Sequence, residues 1–303
     1  MTIRCCYSLI SLLIFHTRLN LIMIEKYWEY LAAAISLYFV IHFVYPRFQK
    51  KKSATERSRE NDVSNDNYSD VEEDDGVAPA LPEDLEHVPL KFDILSTDVM
   101  IKNSRDFYEK MNRRRTIRTF SSKSFPKEVI YNIIKTAGTA PSGAHTEPWT
   151  FVVVESMDIK REIREIIETE EETNYKKRMG KKWTTDLKPL RTNWIKEYLT
   201  EAPYLILVFK QSYGLKPDGT KKNHYYNEQS LSIAVGFLLA AIHNAGLFSL
   251  TSTPLNCGPA IRLLLNRPSS EKLAFLLPVG YPSEGCLVPD LHRKPLYEIM
   301  IEY

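Results

Sequence analysis

The stretch from residue 137 to residue 150, Ala-Gly-Thr-Ala-Pro-Ser-Gly-Ala-His-Thr-Glu-Pro-Trp-Thr, constrains the fold of this chain more than any other. It leaves a helical pattern at residues 128–135 and runs directly into the apolar, β-branched segment Thr150-Phe-Val-Val-Val154, so it is a helix-to-strand connection. Small residues at Gly138, Ala140, Ser142, Gly143 and Ala144 let a flat ligand approach the backbone, while Pro141 and Pro148 stiffen the loop. An ordinary surface turn has a similar composition, and the loop alone leaves both readings open.

The pattern around this loop alternates helices with buried strands. Helices are expected at residues 104–112, from Pro126 onward, at 157–179, at 187–199, at 229–245 and at 259–265. Strands are expected at residues 150–155, 204–209, 248–253 and 273–281. The run Tyr204-Leu-Ile-Leu-Val-Phe209 has no polar alternation, as in a central strand covered on both faces. Residues 229–245 are apolar almost all round a helix, which requires burial in a core or a subunit interface. Residues 214–222, with Gly, Lys and Pro, read as a surface loop. The predicted class is α+β, a mixed sheet wrapped by helices.

The N-terminal part has a different composition. Residues 30–45 are uncharged and apolar, flanked by Tyr27 and Trp28, and are followed by Arg47, Lys50, Lys51 and Lys52. Residues 27–46 therefore read as a single transmembrane helix, with everything after residue 46 cytosolic. The shorter run at residues 5–15 is either signal-like or part of an extended anchor, and Met23 offers an alternative start, so residues 1–26 stay unassigned. Residues 47–89 turn from basic to acidic, peaking at Asp70-Val-Glu-Glu-Asp-Asp75, and read as a disordered tether. Residues 90–303 are expected to form one folded domain. A formal net charge of +2, summed over these opposed regions, gives no support for a nucleic-acid partner.

Several chemistries are excluded by what is missing. No GxGxxG, P-loop or GxSxG motif is present, and His145, His224, His243 and His292 lack metal-ligand spacing. Four cysteines, Cys5, Cys6, Cys257 and Cys286, form no CxxC pair and no disulfide framework. The crowded Arg113-Arg-Arg-Thr-Ile-Arg118 reads either as a solvated charge run or as a clamp for phosphate and a flavin edge. Residues 168–175, poor in apolar side chains, suit a mobile lid.

This arginine cluster resembles the nitroreductase-like flavoproteins, and so do Thr139-Ala-Pro-Ser-Gly-Ala-His-Thr-Glu-Pro-Trp149, Asn193-Trp-Ile-Lys-Glu-Tyr198, Thr251-Ser-Thr-Pro-Leu-Asn-Cys-Gly-Pro259 and Leu277-Pro-Val-Gly-Tyr-Pro282. Among these flavoproteins the blocks are most similar to the iodotyrosine deiodinases. The resemblance implies a nitroreductase fold with FMN at a homodimer interface. Carried over by motif, Arg114, Arg115, Thr116, Ile117 and Arg118 grip the FMN phosphate and pyrimidine edge. Ser142, Thr251, Ser252, Thr253 and Arg293 complete the flavin site, some from the partner chain, and Thr253 serves as the donor to flavin N5 that favours one-electron steps. Ser252 is the middle of a triplet that in vertebrate members resembles Thr-Thr-Thr, and it keeps a hydroxyl there.

For the substrate, the resemblance implies that Glu171, Tyr175 and Lys196 clamp an amino-acid zwitterion and that the Ala144 N–H binds its phenolate. The implied activity is FMN-dependent reductive dehalogenation of halotyrosines, with NADPH supplying electrons through a separate reductase. Two alternatives stand beside it: a general NAD(P)H-dependent nitroreductase or flavin reductase, which would lack the Glu171, Tyr175 and Lys196 trio, and a membrane-tethered flavoprotein regulating a membrane-protein partner.

Overall fold

A computed structural model describes residues 81–303 apart from 217 and 218. The expected segments at residues 1–26 and 27–46, and the tether as far as residue 80, lie outside the described residues. No helix among the described residues is long and apolar enough to cross a membrane.

The centre is a four-stranded sheet of β1 (Trp149–Val154), β2 (Tyr204–Gln211), β5 (Phe248–Ser249) and β6 (Glu271–Gly280), in the order β1-β2-β6-β5. Its ladders are all antiparallel. The expected mixed character is confined to one bridge, Thr116 beside Ser249 in parallel. A second sheet, the hairpin of β3 (Tyr213–Leu215) and β4 (Lys221–Asn223), occupies the segment expected to be a loop.

β2 is buried throughout residues 204–209, and its alternating side chains serve two cores. Leu205, Leu207 and Phe209 face a cluster with Ile163, Ile167 and Ile261, from α3 (Met157–Thr173) and α7 (Gly258–Leu264). Tyr204, Ile206 and Val208 face Ile130, Ile133, Leu231, Val235 and Leu238, from α2 (Lys127–Gly138) and α6 (Asn227–Asn244). A strand with the side-chain period of two needs no polar position when helices cover both faces. The described domain is thus three layers, with helix pairs α3/α7 and α2/α6 on either side of the sheet.

Three expectations are corrected. The helix at residues 187–199 does not form as one element: Leu187 ends the preceding helix, Lys188–Leu190 is a short 3₁₀ turn followed by irregular chain, and α-helix resumes only with α5 (Tyr198–Glu201). Arg191 takes a left-handed φ of 50°, and the Asn193 side chain accepts from the Ile195 N–H at 2.8 Å, so local bonds replace the helical ones. The strand at residues 248–253 is interrupted after Ser249, and Ser252 alone rejoins the sheet through paired bonds with Leu276. The first helix, α1 (Thr97–Asn112), begins seven residues before the expected start and has no buried residue. Between α3 and α4 (Lys181–Leu187) the chain makes a π turn, Asn174–Arg178.

Candidate active site

α3 ends over the irregular segment that holds Lys196, and this brings together the three residues expected to bind a zwitterion. Glu171 and Lys196 are 8% and 7% exposed, with Lys196 Nζ 3.6 Å from Glu171 Oε2. Lys196 Nζ also stands 5.5 Å above the Tyr175 ring, which meets Trp194 edge-on at 6.1 Å. The irregular backbone is held from above: the Lys196 N–H donates to Glu168 Oε1 at 2.6 Å, and the Lys196 ammonium donates to the Asn193 carbonyl. Burial holds the Lys196 amine below the usual lysine range, opposed by the neighbouring Glu171 carboxylate. Burial also raises the Tyr175 phenol, opposed by a hydrogen bond with Thr192. A buried ion pair bordered by a phenol offers opposite charges to one small zwitterion.

Arg118 connects this trio with the arginine cluster, because its charge acts on Tyr175, Lys196 and Tyr198. Upstream, Arg293 Nη2 donates to the Arg114 carbonyl at 2.9 Å and Nη1 to the Asn112 carbonyl at 3.1 Å, while Arg115 donates to the Pro289 carbonyl. Burial, then the charges of Arg293 and Arg115, lower Arg114 from the ordinary guanidinium range. Among the described residues none of these three arginines has an acidic partner. Like charges so crowded suit a phosphate dianion, and on this ground the cluster fits the FMN phosphate. Thr116 and Ile117 follow at the sheet edge, where Ile117 is buried and its N–H donates to the Ser249 carbonyl at 3.4 Å.

The Ser252–Leu276 bonds fix the orientation of the hydroxyl triplet. Thr251 and Thr253 are exposed, whereas Ser252 is half-buried and its hydroxyl bonds the buried Tyr198 phenol. In this chain the Ser252 hydroxyl is thus held by Tyr198, whereas the Thr251 and Thr253 side chains are exposed.

The loop after α2 is strained. Ala144, His145 and Glu147 have φ of 48°, 53° and 48°, although none is glycine. Left-handed non-glycine residues cost about 1 kcal/mol each and persist where surroundings over-determine them. Here the Glu147 N–H donates to Ser142 Oγ at 3.0 Å and the buried Thr146 hydroxyl to the Gly143 carbonyl at 2.9 Å. Gly143 lies against the backbone of Tyr225, whose oxygen would be 2.9 Å from an added Cβ. Among the described residues no hydrogen bond or ion pair joins this loop to the Glu171–Lys196 pair.

Sequence reading missed several neighbours. Asn174, 1% exposed, bonds Glu171, Arg178 and Asn256; Glu168 holds Lys196; and Tyr198 packs beside Ser252. Glu168, four residues after Arg164, and Asn174, three after Glu171 and four before Arg178, leave local signals, whereas Asn256 and the Lys196 backbone lie far along the chain.

A family model described as Nitroreductase family matches residues 111–281. The iodotyrosine deiodinase of Hydra vulgaris is 67% identical over 208 residues, covering 69% of this chain and 76% of that protein. Iodotyrosine deiodinase 1 of Homo sapiens is 60% identical over 231 residues, covering 76% and 80%. Among solved structures, oxidized iodotyrosine deiodinase bound to FMN and 3-iodo-L-tyrosine superposes with a TM-score of 0.56 at 34% identity, covering 65% of this chain and 98% of that one. A BluB-like flavoprotein from Clostridium difficile, with a TM-score of 0.52 at 21% identity over 65% of this chain and 98% of its own, shares the fold alone. Sheet, helices, arginine cluster and matched sequence agree, and the chain belongs to the nitroreductase family, in the branch of the iodotyrosine deiodinases.

Proposed function

We propose that this chain is an FMN-dependent reductive dehalogenase that converts halotyrosines, iodotyrosine foremost, to tyrosine and halide. The observation that carries this reading is the buried Glu171–Lys196 pair beside Tyr175. A general nitroreductase or flavin reductase has no use for a buried opposite-charge pair at this place. Arg114, Arg115 and Arg293 would hold the FMN phosphate, Thr116, Ile117 and Arg118 would line the ring edge, and Ser142, Thr251, Ser252 and Thr253 would complete the cradle. Reduced FMN supplies the two electrons that, with one proton, replace the carbon–halogen bond by carbon–hydrogen and release halide. Thr253 would serve as a hydroxyl donor toward the flavin ring. Glu171 accepts the substrate ammonium, Lys196 binds the carboxylate, and Tyr175 bridges them. The Ala144 N–H, which donates to no acceptor among the described residues, takes the phenolate. An ortho halogen lowers the phenol pKa and so favours that bond. Closure of residues 168–180 excludes water from the pair.

The same reading extends to assembly. Two chains form a homodimer with the flavins between them, supported by apolar surface that no other part of the described chain covers: α6 exposes Ile233 and Phe237, α1 exposes Met100 and Phe107, and the C-terminus exposes Tyr297 and Ile299. Residues 27–46 anchor a cytosolic catalytic domain, residues 90–303, to a membrane through a single pass, on the strength of their sequence pattern. NADPH is the electron source through a separate reductase. Lys196→Gln keeps volume but removes the cation; turnover of 3-iodotyrosine is expected to fall by at least about a hundredfold with FMN content unchanged. Retained turnover would remove the pair from the reaction.

A further inference from the structure

One buried amide touches three parts of this site at once. Asn174 opens the π turn, and its carbonyl accepts the Met179 N–H at 2.7 Å, the bond that closes that turn. Its Nδ2 donates to Glu171 Oε1 at 3.3 Å. Its Oδ1 accepts from Arg178 Nη1 at 3.1 Å and from Asn256 Nδ2 at 3.4 Å. Arg178 is tied in turn to Glu170 at 2.7 Å. Asn256 lies three residues after Thr253, in a left-handed conformation with φ of 63°, and precedes the buried Cys257.

Only an amide satisfies this environment. Rotating it end for end would turn oxygen toward the Glu171 carboxylate and NH₂ toward Arg178, two repulsive contacts, so the network fixes its orientation. Aspartate would place a second carboxylate against Glu171, and an apolar side chain would leave one oxygen of a buried carboxylate without a donor. With Oε1 occupied by Asn174, the other oxygen faces Lys196, and the plane of the carboxylate is set before any ligand arrives. Interruptions of this kind in a helix recur at functional sites, because the extra residue re-aims neighbouring side chains.

We propose that Asn174 is the positioning residue that sets the Glu171 carboxylate for the substrate ammonium and, through Asn256, pins the closed lid to the loop carrying Thr253. This rests on the halotyrosine reading above. Amino-acid recognition and the flavin-side hydroxyl are then joined by one side chain rather than placed independently.

The test uses the FMN-loaded full chain and two probes, 3-fluorotyrosine and its N-acetyl derivative, which lacks the ammonium; binding is followed by quenching of flavin fluorescence. Asn174→Leu keeps the volume and removes the amide. It is expected to weaken 3-fluorotyrosine by about tenfold or more and the N-acetyl derivative by less than about threefold. Asn256→Gly retains the left-handed backbone and removes only the link to the flavin-side loop. Trypsin cleavage after Lys176, Lys177 or Arg178 in the ligand-bound protein should then be at least about threefold faster. Equal weakening of both probes by Asn174→Leu, or of neither, overturns the positioning role, as does unchanged cleavage in Asn256→Gly. Should Asn174→Leu lose its flavin, the Asn256→Gly arm decides. Wild-type protein that fails to bind 3-fluorotyrosine would overturn the halotyrosine reading itself.

Discussion

Glu271 shows what a single buried charge requires in this fold. It is 3% exposed at the start of β6 and receives Arg267 through two bonds of 2.8 Å and the Thr150 hydroxyl at 2.7 Å. Gln211 joins the same hydroxyl at 3.0 Å, so one carboxylate ties β1, β2 and β6 together. Burial pushes its pKa up, but Arg267 and Thr150 outweigh burial and the net shift is downward. The unfolded chain thus binds the proton first as pH falls, so the stabilisation is complete above the ordinary carboxylate pKa and is lost as pH drops through the folded value. Glu271→Gln is expected to cost about 2–4 kcal/mol at neutral pH and to lose less further stability than wild type between about pH 5 and 3, as read by urea unfolding. Parallel pH profiles for the two proteins would contradict it. Nothing in the spacing of Glu271 marks it as buried. Glu171 and Lys196 are likewise indistinguishable from a solvated face by residue type, and only the motif resemblance singled them out.

Elements were more legible than residues where burial is regular. The β2 run identifies itself because two cores cover it, and α2, α3 and α6 follow from their apolar positions. The segment at residues 187–199 was misread because Leu187, Leu190, Trp194 and Leu199 approximate helical spacing, whereas the left-handed Arg191 and the Asn193–Ile195 bond break it. The antiparallel order of the sheet was not legible either, since β2 and β6 pair although residues 212–270 lie between them. The 141–147 loop was found by composition, but its strain and its support by Tyr225 were not. Gly143→Ala brings a Cβ within 2.9 Å of the Tyr225 carbonyl oxygen, so one of the two backbones must move. A stability loss of about 1–3 kcal/mol and weaker FMN retention are expected, measured by thermal unfolding and flavin titration. Unchanged retention would detach this loop from the flavin site.

At the scale of the molecule, the proposed homodimer draws on the apolar surface left on α1, α6 and the C-terminal segment. The sequence flagged α6, whose circumference is apolar, but not α1, whose exposed Val99, Met100, Ile101 and Phe107 lie among charges. The dimer reading predicts that sedimentation finds two chains per particle and that Phe237→Glu, placing a charge on the exposed face of α6, yields monomers with FMN affinity reduced about tenfold or more. Monomers that hold FMN as tightly as wild type would show that one chain completes the cradle. The central claim, that this assembly dehalogenates an amino acid, has a direct measurement: reduce the bound flavin of the full chain anaerobically, add 3-iodotyrosine, and follow flavin absorbance with free iodide and tyrosine. Reoxidation with one iodide and one tyrosine released per reduced flavin is the predicted result; tight binding of 3-iodotyrosine with no release of iodide would contradict it.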